Sequence, residues 1–275
     1  MVSVSSNINW PPIEGIISDL DGVVYRGGTA IADAIEAFTR WQKAGVPFCF
    51  ATNNSTHTPE DVVGRLRGAG LSIARSQVVT SAITAAELVR TNYPHLTRIY
   101  VIGAPSLVTA MRDVGLEVCD RAPEAVVMGL DRDITHEKLR IAVESILNGA
   151  VFIGTNPDLL LPTASGFEPG AGATIAAVAA ATQVQPSIVG KPQVPMIETA
   201  LSRLGTKRGS TIMIGDQVPT DIQAGKRAGL ATVLVTTGVP TRQDPSLMAP
   251  DFIVSSLREI EVSAACAAQS RQRRA

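Results

Sequence analysis

The chain has 275 residues, 45% hydrophobic and 18% charged, enough for one large α/β domain or two modest ones with separate cores. Its net charge of −1, from 24 basic and 25 acidic residues, excludes a global field that gathers nucleic acid or anionic membrane. Cys49, Cys119 and Cys266 are scattered and odd in number without a CxxC pair, which argues against a disulfide framework or zinc site and for a reducing compartment.

Short apolar runs alternate with helix-length segments, the pattern of a parallel α/β protein. In the first third, Gly15–Ser18 and 46–51 read as strands, joined by a crossover helix over 31–44 that stops at Gly45. Thr58-Pro59-Glu60-Asp61 opens the next helix with a hydroxyl N-cap and a first-turn proline, and Gly68 or Gly70 ends it. The middle repeats the alternation: strands over 98–103, 125–130 and 151–155, helices over 106–114, 135–147 and 174–182. After Pro186 come strands over 187–189, 211–214, Ala231–Val235 and Phe252–Val254, with helices over Pro195–Leu204 and 219–228. No apolar run approaches about 18 residues and the opening residues lack a basic-then-apolar order, so the sequence predicts neither a membrane span nor a secretion signal, and a cytoplasmic location. The arginine-bearing tail over 263–275 reads as a frayed terminus.

Four of the apolar runs end in polar residues of a coherent kind. The first ends in Asp19-Leu20-Asp21-Gly22, the second in Thr52-Asn53-Asn54-Ser55, the third in Gly190-Lys191-Pro192, and the fourth in Gly215-Asp216 followed by Thr220-Asp221. Continued strand alternation would put Asp19 and Asp21 on one side. Like charges so close repel, and are tolerated where a cation lies between them or where one attacks while the other handles a proton. A plain Asp-Gly surface turn is the competing reading. In an open parallel sheet, ligands bind beyond the carboxyl ends of the strands. The four ends would gather carboxylates, a hydroxyl, amides and an ammonium around one crevice, an inventory suited to a phosphate monoester with Mg²⁺.

The order DxDG, TNN, GKP, GDxxxTD resembles the haloacid dehalogenase superfamily, and within it the NagD-like, 4-nitrophenylphosphatase branch (subfamily IIA), from Gly15 to about Glu261. The resemblance implies a Rossmann-like parallel-sheet core over 1–82 and 186–275, with an inserted α/β cap over 83–185 that closes over the core crevice. It implies an Mg²⁺-dependent phosphatase working through an aspartyl-phosphate. Asp19 would be the nucleophile and Asp21 the acid and base. Thr52, Asn53, Asn54 and Lys191 would bind phosphate, although Asn54 and Ser55 read equally as residues that shape the turn. Asp19, the Asp21 carbonyl and Asp216 would bind the metal, with Asp221 behind them. Asp21 argues against a dehalogenase; a phosphotransferase or phosphomutase, or a phosphate-binding module without turnover, remain as alternatives. The partner implied is a small phosphorylated metabolite, with no nucleic acid or membrane, and the resemblance allows a homodimer through the cap.

In the cap, the segment 154–163 with Asn156, Asp158 and Leu161 resembles the family's loop facing the leaving group. Leu161 would favour a small, moderately polar leaving group or broad tolerance, and 159–161 reads equally as cap core. Gly170-Ala171-Gly172 lacks the third glycine and the preceding strand of a dinucleotide loop and reads as a turn. His57, His95 and His136 are far apart and read as surface or packing residues.

Overall fold

A computed structural model describes residues 9–163, 166–238 and 244–262. In chain order the elements are β1 (Gly15–Ser18), β2 (Tyr25–Arg26), β3 (Thr29–Ala30), α1 (Ala32–Lys43), β4 (Phe48–Thr52), α2 (Pro59–Gly68), β5 (Val78–Thr80) and α3 (Ser81–Asn92). Next come β6 (Arg98–Ile102), α4 (Pro105–Asp113), β7 (Glu117–Val118), β8 (Ala125–Met128), α5 (His136–Leu147), β9 (Val151–Gly154), β10 (Leu160–Thr163), β11 (Gly166–Pro169) and α6 (Ala171–Thr182). The last are β12 (Ser187–Ile188), α7 (Pro195–Leu204), β13 (Thr211–Gly215), α8 (Gln223–Arg227), β14 (Ala231–Val235) and β15 (Phe252–Val254). One sheet has the order β15-β14-β13-β1-β4-β5 and a second β12-β9-β8-β6-β7; β2–β3 and β10–β11 are hairpins. The protein is an α/β fold with a parallel core sheet and a second parallel sheet.

The chain divides into two compact units, Met1–Cys49 with Leu201–Ala275, and Phe50–Ala200. In the first, β1 pairs in parallel with β13, β13 with β14 and β14 with β15. All four residues of β1 and all five of β13 are buried, so the sheet interior reads as continuous apolar runs rather than alternation. Helix α1 buries Ala34, Ala37, Phe38 and Trp41, a stripe at helical spacing. Phe38 meets Trp41 edge-on at 4.9 Å and Phe48 at 5.0 Å, filling the core with aromatic area.

In the second unit, the end of β4 pairs in parallel with β5, a strand that the sequence reading passed over along with helix α3. The N-terminus of α2 is as expected: Thr58 Oγ1 accepts from the Asp61 N–H (3.2 Å) and Asp61 Oδ2 from the Thr58 N–H (2.8 Å). The Thr58 N–H is the chief cause holding the Asp61 carboxyl below its ordinary pKa. In the five-stranded sheet, period-two alternation sends Ile99, Ala125 and Val127 to one side, against α3 and α4. Tyr100, Ile102, Val126 and Met128 go to the other, against α5 and α6.

Three expectations change. The segment 159–161 is not cap core: Leu159 is 59% and Leu160 64% exposed, and Leu160 starts the antiparallel hairpin β10–β11, which carries Phe167 at 74% exposure. Gly170-Ala171-Gly172 is no turn but the start of α6, three residues earlier than expected. The N–H groups of Gly170 and Gly172 donate to Leu159 O and Asp158 O (both 2.9 Å), an approach that leaves no room for a Cβ. The helix expected over 219–228 opens with a π-helical turn, Val218–Ile222, before α8. Cys49 and Cys119 are free thiols; Cys266 and the expected frayed tail lie outside the described residues. Among the described residues, no helix is long and apolar enough to cross a membrane.

Candidate active site

Parallel pairing puts Ser18 beside Ile214, so the two chains leave their strands together, and the Asp19 N–H donates to Ile214 O (2.9 Å). Asp19 and Asp216 therefore emerge side by side. The π-helical turn adds a third acid: the N–H groups of Asp221 (2.9 Å) and Ile222 (3.3 Å) converge on Gln217 O, and the Gln217 N–H donates to Asp221 Oδ2 (3.0 Å). Such turns are rare and concentrate at functional sites. One carboxylate oxygen from each of Asp19, Asp216 and Asp221 lies within 4.8 Å of the others, and all three side chains are buried.

Three carboxylates gathered out of water repel one another, and a divalent cation reverses that penalty. The donor set is all hard oxygen, which suits Mg²⁺ held by a few carboxylates with its other positions left to water and phosphate. The surroundings are built close: Gly22, at φ 84°, and Gly238 both face the Asp216 carboxylate where a Cβ would collide with it. Gln217 Nε2 donates to Asp216 Oδ2 (3.0 Å).

Strand β1 stops at Ser18, so period two no longer governs, and Asp21 is exposed in a loop bridged to Tyr25. The Gly22 N–H donates to Tyr25 O (2.7 Å). The carboxylate group of three brings in Asp221, expected to stand behind the others, beside Asp19 and Asp216.

Thr52 is buried at the end of β4, and its Oγ1 accepts from the Asn54 N–H (3.1 Å). Asn54 shapes the turn: its Oδ1 accepts from the N–H (2.8 Å) and hydroxyl (2.7 Å) of Thr56. Lys191 is 2% exposed, and the Asn53 carboxamide meets its main chain at both ends: Oδ1 accepts from the Lys191 N–H (2.8 Å) and Nδ2 donates to Lys191 O (2.9 Å). Nδ2 also donates to Asp158 Oδ2 (3.1 Å), while Asn156 Nδ2 donates to Asn53 O (2.9 Å). Asn156 and Asp158 thus turn toward Asn53, and Leu161 is half-buried in β10. His57 is half-buried beside Arg65 (3.4 Å), while His95 and His136 are exposed.

Sequence reasoning missed the segment Thr236-Thr237-Gly238, where Thr237 Oγ1 donates to Gly22 O (2.7 Å) and Arg26 donates to Thr237 O. It follows the carboxyl end of β14, so the strand-end rule applied to the other runs would have found it. It also missed Ser81, whose hydroxyl donates to Asn53 O (2.7 Å).

Parallel strands that end in a buried acidic group place the protein among the α/β folds with a parallel core sheet. Residues 16–117 match the haloacid dehalogenase-like hydrolase family and residues 188–260 match the HAD-hydrolase-like family. The chain is 38% identical to the acid sugar phosphatase of Staphylococcus epidermidis over 84% of its length and 89% of the relative's. It is 37% identical to the 5'-nucleotidase YutF of Bacillus subtilis over 90% of its length and 96% of the relative's. Among solved structures, a double-mutant thermostable NPPase from Geobacillus stearothermophilus superimposes with a TM-score of 0.86 at 39% identity, covering 92% of this chain and 99% of that one. NagD from E. coli K-12 gives 0.84 at 32% identity, covering 92% and 100%. The chain belongs to the haloacid dehalogenase-like hydrolases, in the NagD/p-nitrophenyl phosphatase branch.

Proposed function

We propose that the protein is an Mg²⁺-dependent phosphatase of small phosphate monoesters, sugar phosphates and nucleoside monophosphates among them. The observation that carries this reading is the buried trio of Asp19, Asp216 and Asp221. Relatives named as an acid sugar phosphatase and a 5'-nucleotidase support the substrate class.

In this reading Asp19 Oδ attacks phosphorus, forming an acyl phosphate on its own side chain while the bond to the ester oxygen breaks. Asp21, exposed in the loop after β1, gives the departing alkoxide its proton and then takes one from the water that cleaves the acyl phosphate. The Thr52 hydroxyl and the Lys191 ammonium hold phosphoryl oxygens, with Lys191 offsetting their charge. Asp19, the Asp21 carbonyl and Asp216 would hold Mg²⁺, and Asp221 would steady Asp216 through Gln217, whose N–H and side-chain amide serve the two carboxylates. When bound, the ion supplies positive charge that offsets repulsion between an anionic carboxylate and an anionic ester. Residues 83–185 would serve as a cap that excludes water during transfer.

The test is hydrolysis of p-nitrophenyl phosphate with and without Mg²⁺, followed by a screen of phosphorylated metabolites. Asp19→Asn is expected to abolish turnover at unchanged circular dichroism. Activity retained in that variant, or undiminished in EDTA, would refute the mechanism.

A further inference from the structure

Lys191 must place an ammonium at the end of a flexible four-carbon stem, and the positions around it show how its base is held. The Asn53 carboxamide has two donors and one acceptor oxygen. Both main-chain polar groups of Lys191 close on it, at 2.8 and 2.9 Å, and Asp158 Oδ2 takes a further bond at 3.1 Å. Asn53 is itself fixed from behind, because its carbonyl accepts from Ser81 Oγ (2.7 Å) and Asn156 Nδ2 (2.9 Å). The glycine before the lysine follows from the same contact: a Cβ on Gly190 would stand 2.6 Å from Asn53 Oδ1 and 2.5 Å from Thr155 O. So the TNN and GKP motifs, some 138 residues apart, interlock through one side chain.

We infer that Asn53 is a positioning residue: its carboxamide, steadied by Asn156 and Asp158, sets the Lys191 ammonium through the lysine's own main chain and does not bind phosphate with its side chain. The inference rests on the reading of Lys191 as a phosphate-binding group. Serving a phosphoryl oxygen from Nδ2 would break a bond already made to Lys191 or Asp158. Asn156 and Asp158, expected to face the leaving group, act here on turnover of every ester alike, because their polar atoms meet Asn53.

The experiment is a double-mutant cycle in the full chain with Mg²⁺, reading the affinity for inorganic phosphate by calorimetry and kcat on p-nitrophenyl phosphate. Asn53→Ala and Lys191→Ala are each expected to weaken phosphate binding by roughly 10- to 100-fold, the usual cost of losing an orienting group. The double variant is expected to be no weaker than Lys191→Ala. Multiplying losses would show Asn53 meeting phosphate itself and overturn the inference, as would a wild-type Asn53→Ala beside an impaired Lys191→Ala; neither touches the phosphatase reading. Wild-type binding by Lys191→Ala would remove the role of Lys191 and this inference with it. Should Asn53→Ala not fold, Asn53→Ser, which also lacks the carboxamide, takes its place in the cycle, and losses that multiply with Lys191→Ala overturn the inference in the same way.

Discussion

Two glycines with nearly the same backbone separate strain from site geometry. Gly22 has φ 84° and Gly28 has φ 87°, both in the left-handed region that costs an L-residue about 1–2 kcal/mol. Alanine at Gly28 meets nothing within 4 Å, so Gly28→Ala carries the backbone penalty alone. At Gly22 the new Cβ meets the Asp216 carboxylate: the farthest of three atoms would stand 3.0 Å away against 3.4 Å for ordinary contact, and the others nearer. Even that atom must retreat 0.4 Å, and the nearest oxygen on the order of 1 Å, a misplacement that costs about 100-fold in rate when the group acts in the reaction. Both variants should therefore lose about 1–2 kcal/mol in urea unfolding, with overpacking adding about 1–3 kcal/mol for Gly22→Ala alone. Only Gly22→Ala should need much more Mg²⁺ for half-maximal p-nitrophenyl phosphate hydrolysis and lose kcat. Equal Mg²⁺ dependence in the two variants would refute the placement of Asp216 as a metal ligand.

Mg²⁺ added to EDTA-treated protein should raise thermal stability, by about 2.7 kcal/mol at one hundred times Kd, and Asp216→Asn should abolish the gain; an undiminished response in that variant would exclude Asp216 from the site. Burial pulls the Asp251 carboxyl upward, but bonds from the Lys226 ammonium and from the Thr232 N–H (2.8 Å) and hydroxyl (2.9 Å) outweigh it and hold the pKa below the usual value. Its stabilisation is therefore complete above the unfolded value of about 3.9 and is lost as pH falls through the lower folded pKa. With the side chain 36% exposed, Asp251→Asn should cost about 1 kcal/mol at pH 7, a gap that urea titrations should find closing below pH 4. On the hairpin, Leu161→Arg should change relative kcat/KM across a panel of phosphate esters, while Leu160→Ser, at an exposed position, should leave both specificity and stability within about 0.5 kcal/mol of wild type. An unchanged panel for Leu161→Arg would show that the loop does not select.

Strands such as Gly15–Ser18, Ala231–Val235 and Phe252–Val254 and the helix Pro195–Leu204 were legible to the residue, because apolar runs bounded by turn and cap residues are local signals. The capping box at Thr58 was equally local. Strand β5, three residues long and followed without a loop by α3, had no such boundary to read, and the exposed leucines of β10 imitate a buried run in sequence.

The motif order determined the family and put Asp19, Thr52 and Asp216 at strand ends of one parallel sheet, where the chain itself fixes which end of each strand faces a ligand, while Lys191 follows β12 of the other sheet. What only the tertiary structure decided was the company each side chain keeps. Asp221 joins Asp19 and Asp216 through a widened helical turn, and Asn53 spends its amide on Lys191. Those outcomes turn on hydrogen bonds between segments distant in sequence and on ångström-scale backbone paths, neither of which residue type and spacing encode.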